Sequence, residues 1–142
     1  MAQLNSSRVI VGGLAAGLVM NVIDATTNGF LLGDRWMVET EALNPGLLAK
    51  ASSGTMGWVA VDFILGILTV WVYAAIRPRL GPGPRTALTA AFVIWLASHA
   101  AYASYAFMGY YSWSLVGASS IGGLVASLAG GYLGARLYRE TA

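Results

Sequence analysis

The sequence predicts an all-α, polytopic membrane protein, a bundle of four transmembrane helices with both termini in the cytoplasm. Three observations lead to this prediction. Hydrophobic residues make up 57% of the 142 residues and charged residues only 10%, and the mean hydropathy of +0.66 is far from that of a soluble domain. The charged residues fall almost wholly outside four long apolar segments. Finally, most of the arginines flank one side of these segments, which indicates the orientation.

Composition also excludes several classes of function. The net charge of +2 reflects arginines placed beside apolar segments, so it gives no basic surface for nucleic acid. The chain has no cysteine, which excludes disulfides, thiolate metal sites and redox chemistry through sulfur. No nucleophile elbow, phosphate-binding loop or zinc-protease helix is present. We therefore expect a protein that is not an enzyme.

A transmembrane helix needs roughly 20 mainly apolar residues, and the chain offers four such segments, at about 8–33, 55–76, 86–110 and 113–136. Together they predict a single domain over residues 1–142. The first segment has the arginine and apolar run of a secretory signal. Its apolar character continues to Leu32, long enough to span, so we expect a retained helix.

The connections between these segments differ in character. Residues 34–54 contain Asp34, Asn44–Pro45 and Ser52–Ser53–Gly54, which are typical of helix caps and breakers and predict short amphipathic turns at the membrane interface. The stretch RPRLGPGPR, residues 77–85, is rich in Pro and Gly and predicts a tight basic turn without helix.

The positive-inside rule predicts cytoplasmic termini, because cytoplasmic loops retain Lys and Arg. Only Arg35 and Lys50 fall on the opposite side, accompanied by acidic residues. The arginines that mark the cytoplasmic side are Arg8, Arg77, Arg79, Arg85, Arg136 and Arg139.

Small residues at helical spacing predict how the helices pack, since helices in lipid associate by close backbone approach. The fourth helix carries two ladders of such residues and is predicted to be the central packing element; a second interpretation of the ladders is contact with another copy or another protein. The predicted packing glycines are Gly13, Gly17, Gly123, Gly130, Gly131 and Gly134.

Polar residues inside the apolar segments are predicted to share one level of the membrane. Asp24 lies about eight residues, roughly 12 Å, from the end of the first segment, and the polar residues of the other three lie at similar depths. Helical spacing places both acids on the same faces as packing glycines, which points them inward. The predicted cluster is Asn21, Asp24, Asn28, Asp62, His99, Tyr102 and Tyr105, with Ser119 and Ser120 on the fourth segment.

Two interpretations of this level remain open from the sequence. Two carboxyl groups and an imidazole could relay protons, bind a cation or hold a polar head group, and acids within a membrane usually have a functional role. Alternatively, Asp24 could form a protonated hydrogen-bonded clasp with Asp62, or with Asn21 and Asn28, which lie one turn away on each side.

His99 has three possible roles. A single helix histidine can be the axial ligand of haem or of a chlorophyll-type magnesium, but Trp95 occupies the position one turn earlier where a macrocycle needs space. It could instead belong to the polar cluster, or be a structural histidine held by hydrogen bonds. Asp24, Asp62 and His99 have suitable ligand types for Zn²⁺ or Fe²⁺, yet they lie on three different helices, so we predict no metal site.

Three stretches, RVIVGGLAAGLVMNVID, NGFLLGDRW and YAAIRPRLGPGPRTAL, resemble a family of small uncharacterised bacterial four-helix integral membrane proteins. The likeness covers the first helix with its following loop and the basic turn, and it is weakest in the third helix. The resemblance implies a multi-pass protein of the bacterial cytoplasmic (inner) membrane. It implies no activity, and it assigns no role to Asp24 or His99.

The leading functional expectation is an accessory subunit of a larger respiratory or photosynthetic membrane complex, docking through small-residue and aromatic helix faces. Its partners would be the lipid bilayer and other membrane subunits, and the sequence requires no cofactor, although lipid, quinone or pigment could be bound. One alternative is a small proton- or solute-coupled transporter or channel that uses Asp24, Asp62 and His99. A further alternative is a haem- or chlorophyll-binding protein.

Overall fold

The computed structural model describes residues 4–50 and 54–140, which are mostly helical, with no strand among them. Four helical stretches are long and apolar enough to cross a membrane: 6–31, 54–80, 84–107 and 113–137. This confirms the predicted all-α architecture with four potential spans. The elements are α1 (Ser6–Asp24) with a π-helical continuation (Ala25–Leu31), α2 (Gly33–Leu43), α3 (Leu47–Lys50), α4 (Gly54–Leu80), α5 (Pro84–Tyr102), α6 (Ser104–Phe107) and α7 (Trp113–Leu137).

The first span begins slightly earlier than predicted and ends differently. The side chain of Asn5 caps α1 by accepting a hydrogen bond from the backbone N–H of Arg8 at 3.1 Å, as short polar residues do at helix starts. Beyond Asp24 the helix widens into a π-helical segment, which closes where the N–H of Leu32 donates to the carbonyl of Thr27 at 2.9 Å. The predicted boundary at residue 33 is therefore two residues too long, and the π segment was not predicted.

The basic turn is shorter than the sequence suggested. Helix α4 runs to Leu80 and contains Pro78, so the expectation that residues 77–80 are not helical is wrong. Proline removes only one hydrogen bond, and near a helix end that loss is confined to the last turns. The chain then reverses through Gly81 and Gly83, with φ of 81° and 138°. Pro84 lies in the first turn of α5, a position that suits its fixed φ.

The third span is interrupted before its predicted end at residue 110. Helix α5 ends at Tyr102 and is followed by the single-turn α6. Gly109 has a φ of 72°, which permits the reversal into α7. Ser112 then caps α7 by accepting from the N–H of Leu115 at 3.2 Å.

The segment between the first two spans forms two short helices, α2 and α3, rather than turns alone. Helix α2 bonds to the beginning of α7 and to the π segment, and three of its apolar residues remain exposed: Met37, Val38 and Leu43. Ser52 and Ser53, which were predicted to break this segment, lie outside the described residues.

Glycines bring α1 and α4 into backbone contact. A Cβ on Gly66 would lie 2.5 Å from the carbonyl oxygen of Gly13 and 2.5 Å from the nitrogen of Gly17, distances that no side chain permits. Conversely, a Cβ on Gly17 would lie 2.7 Å from the Cα of Phe63. The two helices therefore approach as closely as their backbones allow, which is how small residues promote helix association in lipid.

Helix α7 packs against each of the other three spans. Towards α1, a Cβ on Gly134 would lie 2.6 Å from the oxygen of Gly12, and one on Gly130 would lie 2.7 Å from the oxygen of Ala16. Gly131 instead faces Ala91 of α5. The predicted packing glycines of α7 thus contact other helices of the same chain. Helix α4 likewise contacts α1, α5 and α7.

Both described ends of the chain lie at the same end of the bundle. The N–H of Asn5 donates to the hydroxyl of Tyr138 at 3.3 Å. Arg77 lies 5.7 Å from the centre of the Tyr138 ring and forms an ion pair with Glu140 at 3.0 Å. The opposite end of the bundle carries α2. The predicted cytoplasmic placement of the termini stays a prediction.

We expect Gly66→Ala to destabilise the bundle, since its Cβ would collide with the backbone of α1. Overpacking of this kind typically costs about 1–3 kcal/mol. Thermal unfolding followed by circular dichroism in detergent measures the effect.

Gly57→Ala is the matched control, because Gly57 lies on the same helix and a Cβ there meets no atom within 4 Å. It should leave stability unchanged or raise it slightly, since alanine favours helix over glycine. Equal destabilisation by both variants would contradict the close approach of α1 and α4.

Candidate polar site inside the bundle

Asp24 and Asp62 form the centre of the candidate site, where α1 and α4 pack together. Asp24 is the last residue of α1. Asp62 lies on α4 and is only 7% exposed. Both acids lie on helices that pack together: a Cβ on Gly17 of α1 would lie 3.1 Å from the backbone oxygen of Asp62, and Asn21 of α1 donates to Val59 of α4. The sequence predicted that both acids point inward at one level, and the shared level stays a prediction.

One carboxyl oxygen of Asp24 is buried without a hydrogen-bond partner among the described residues. The amide of Asn21 instead donates to the backbone oxygens of Gly17 at 2.9 Å and Val59 at 3.3 Å. The side-chain oxygen of Asn28 accepts from two other groups. The clasp between Asp24 and its neighbouring asparagines is therefore absent from the described residues.

Asn28 is the meeting point of a separate hydrogen-bond chain. Its side-chain oxygen accepts from the Ser119 hydroxyl at 2.7 Å and from the indole N–H of Trp36 at 3.2 Å. The hydroxyl of Tyr102 in turn donates to Ser119 at 3.3 Å. One amide oxygen thus links the π segment to α7 and α2 directly and to α5 through Ser119.

The π segment explains why Asn21 and Asn28 serve different neighbours. With regular α-helical spacing, Asn21, Asp24 and Asn28 would lie on one face. The wider π turn after Asp24 shifts the following residues around the axis, so Asn21 bonds to α4 while Asn28 bonds to α7. Short π segments within α-helices occur frequently at functional sites, and this one begins directly after the unpartnered acid.

His99 is held by its own helix and lies against α7. Its Nδ1 lies 3.2 Å from the carbonyl oxygen of Trp95 and 3.2 Å from the Ser98 hydroxyl. Its ring stacks on Trp95, and its Nε2 lies against Gly123, where a Cβ would collide with it. A haem or chlorophyll would have to displace α7 to reach this nitrogen, so the surroundings of His99 do not fit a macrocycle.

The sequence raised a metal-ligand set, which was not predicted to form, and a place for Tyr105 in the polar cluster, which was. Within residues 4–50 and 54–140, no three His, Asp or Glu side chains are grouped as they must be to hold a metal ion, so Asp24, Asp62 and His99 do not make the three-ligand set considered above. Tyr105 is 40% exposed, and its ring packs edge-on against Tyr102 and Tyr111 at centroid distances of 5.6 and 6.2 Å. It belongs to an aromatic row that runs along α5 into α6 rather than to the polar site.

Sequence reasoning missed the contribution of α2. Trp36 of this helix donates to the side-chain oxygen of Asn28. It also packs edge-on against Tyr111, with centroids 5.0 Å apart. No periodic signal marks this role, because it depends on α2 folding back over the ends of the spans.

Glu39 and Ser112 fasten α2 to α7, and this pair was also missed. The Glu39 carboxylate accepts from the backbone N–H and the hydroxyl of Ser112, both at 2.7 Å. Arg35 contacts Glu39 at 3.6 Å and donates to Ser114 at 2.7 Å. Burial alone would raise the pKa of Glu39, but the Ser112 hydrogen bonds and the Arg35 charge outweigh it and lower the pKa below its ordinary value.

Comparison with known proteins adds no relative. No family model, curated protein or solved structure matches the chain. The resemblance noted in the sequence therefore stays an expectation, and the functional argument depends on the geometry of the site.

Glu39 should stabilise the protein in a pH-dependent manner. A carboxylate with a lowered folded-state pKa contributes stability above its unfolded pKa and loses it as pH falls through the folded value. We therefore expect the wild type to unfold at higher temperature than Glu39→Gln at neutral pH, and the difference to shrink as pH falls below the ordinary glutamate pKa of 4.5 and to be lost once pH passes the lowered folded-state pKa.

Thermal unfolding of both proteins between neutral and strongly acidic pH measures this difference. The effects of the other acidic residues on the unfolding temperature cancel in the difference, because both proteins carry those residues. A difference that stays constant down to the lowest pH would show that the Glu39 charge does not fasten α2.

Proposed function

We propose that this chain is a multi-pass protein of the bacterial cytoplasmic membrane in which Asp24 and Asp62 form a proton-coupling site. The site would take up and release protons as a small solute, or the proton itself, crosses the membrane. The observation that carries the proposal is the buried oxygen of Asp24, which lacks a partner among the described residues, on a helix that packs against the one carrying the buried Asp62.

The electrostatics of the pair support a proton or a cation as its ligand. A charged side chain at the membrane centre costs about 3 kcal/mol on insertion scales, and two negative charges in one low-dielectric layer repel each other strongly. A proton relieves both costs. A purely structural acid would be expected to bond fully to its neighbours, whereas the buried oxygen of Asp24 has no partner among the described residues and the amide of Asn21 donates to backbone oxygens instead.

The neighbouring hydrogen-bond chain supports a positioning role. Tyr102 donates to Ser119, and Ser119 donates to the oxygen of Asn28. An amide oxygen accepts but cannot pass on a proton, so this chain does not conduct protons to the acids. It fixes the π segment that follows Asp24, which keeps the carboxyl group at the interface with α4.

A second candidate function is the accessory subunit expected from the sequence. The structure changes which helix faces could dock against a partner. The glycine ladders pack within the chain, which removes the small-residue part of that argument. The aromatic part remains: four large aromatic side chains near the α2 end are more than half exposed, namely Phe30, Trp58, Phe107 and Trp113. Such residues suit both a membrane interface and contact with another subunit.

Asp24→Asn and Asp62→Asn should each abolish proton flux in proteoliposomes, because an amide of the same shape cannot bind and release a proton. The measurement uses a pH-sensitive dye enclosed in the vesicles and an imposed membrane potential. Size-exclusion chromatography in detergent should show that both variants assemble as the wild type does.

Asp34→Asn is the matched control, since it removes a carboxyl group from the first turn of α2, outside the membrane spans, and should leave flux intact. Wild-type flux in either interior variant would refute the coupling role. No wild-type flux above protein-free vesicles would refute transport and leave the accessory subunit as the candidate.

The accessory-subunit candidate is tested by gentle purification from the native membrane. It predicts that other membrane subunits, with or without pigment or quinone, co-purify in a fixed ratio, and that Trp113→Ala and Phe107→Ala weaken this association. If the protein runs alone at native expression levels, this candidate is wrong.

A further inference from the structure

Helix α2 is bound to the bundle by one polar face. The residues of this face, Arg35, Trp36, Glu39 and Thr40, are spaced as neighbours on a helix surface. Each contacts a polar group at the α2 end of the spans: Arg35 and Glu39 contact Ser112, Trp36 contacts Asn28, and Thr40 lies 3.2 Å from the Tyr111 hydroxyl.

These contacts place α2 against the polar layer, the hydrogen-bonded group of Asn28, Ser119 and Tyr102. Trp36 and Ser119 donate to the same oxygen of Asn28, so the indole is in direct contact with the innermost hydrogen-bond chain. Ser119 beneath it is only 5% exposed. Ser119 lies six residues into α7, roughly 9 Å from its first residue, and α2 contacts the chain at that end of α7.

The fastening depends on few groups. Glu39 provides the shortest contacts, two hydrogen bonds of 2.7 Å to Ser112, while Thr40 and Trp36 add neutral bonds. Bonds to an ionised group are roughly twice as strong as neutral ones. The charges that face the Glu39–Ser112 contact are Glu39 itself and Arg35 of the same helix, and α7 contributes its positive N-terminal dipole.

We propose that α2 is a lid over the proton-coupling site, fastened by Glu39 to the first residues of α7, and that its release admits water to the layer of Asn28 and Ser119. The lid regulates the site assigned above and in that respect rests on the proposed function. Its exposed residues Met37 and Val38 would keep the released helix at the membrane interface, where amphipathic helices bind.

Thiol labelling tests the lid directly, because the chain has no cysteine of its own. Ser119→Cys places a reporter beneath α2, and reaction with a small water-soluble thiol reagent measures access at neutral pH. We expect slow labelling when Glu39 is present. Adding Glu39→Gln should raise the rate about tenfold or more, the change expected for one hydrogen bond to a charged group.

Two controls distinguish release of α2 from a general destabilisation of the bundle. Glu41→Gln removes an acid of the same helix that bonds to Gly46 instead of α7, and it should leave the rate unchanged. Ala42→Cys places a thiol on an exposed position of α2 and should react quickly in every background. The lid is refuted if Ser119→Cys reacts as fast as Ala42→Cys with Glu39 present, or if Glu39→Gln does not raise its rate.

Hydrogen exchange provides the same test without a cysteine. Glu39→Gln in the otherwise native chain should speed exchange of the backbone amides of residues 27–32 and leave residues 9–16 of α1 unchanged. Unchanged exchange at 27–32 would also refute the lid. Neither measurement depends on flux. If Glu39→Gln speeds labelling but the wild type shows no flux, only the proton function is refuted. If the wild type shows flux but labelling does not change, only the lid is refuted.

Discussion

Close backbone contact through glycine is the constraint on which the rest of this structure depends. In lipid the apolar surfaces of helices gain little by meeting each other, so van der Waals contact between backbones must hold the spans together. Gly66 of α4 lies between Gly13 and Gly17 of α1, while Gly130 and Gly134 of α7 approach the other side of α1. At these glycines the backbones of three helices come into contact, with Val70 and Met20 packed beside them, and α5 completes the bundle against α7 and α4.

This close packing also determines the chemistry inside. Because α1 and α4 nearly touch, polar side chains at their interface have few neighbours and little space. Asn21 uses backbone oxygens on both helices, and Asp62 is almost fully buried. Asp24 lies where the α-helix gives way to the π segment and keeps an oxygen without a partner among the described residues. A buried carboxyl oxygen without a hydrogen-bond partner, next to an asparagine whose amide is hydrogen-bonded, is the main reason to infer a site that binds a proton.

The two ends of the bundle are closed by different interactions. At the terminal end, Arg77 lies against the ring of Tyr138 and pairs with Glu140. At the other end, α2 is held by the Glu39 carboxylate and by neutral bonds from Trp36 and Thr40. The second closure lies above the polar layer, and it depends on a single carboxylate. This is the end at which the proposed lid would control the access of water.

The sequence by itself determined the spans and their packing faces, because hydropathy, helical periodicity and small-residue spacing are local properties. It therefore predicted four helices, the inward direction of Asp24 and Asp62, and the glycines through which the helices pack. Tertiary structure decided what each polar group bonds to. The π turn after Asp24 directs Asn28 to α7, His99 stacks on Trp95 and lies against Gly123, and α2 folds back so that Trp36 reaches Asn28. Each of these depends on contacts between residues distant in the chain or on a local widening of the helix that periodicity does not reveal.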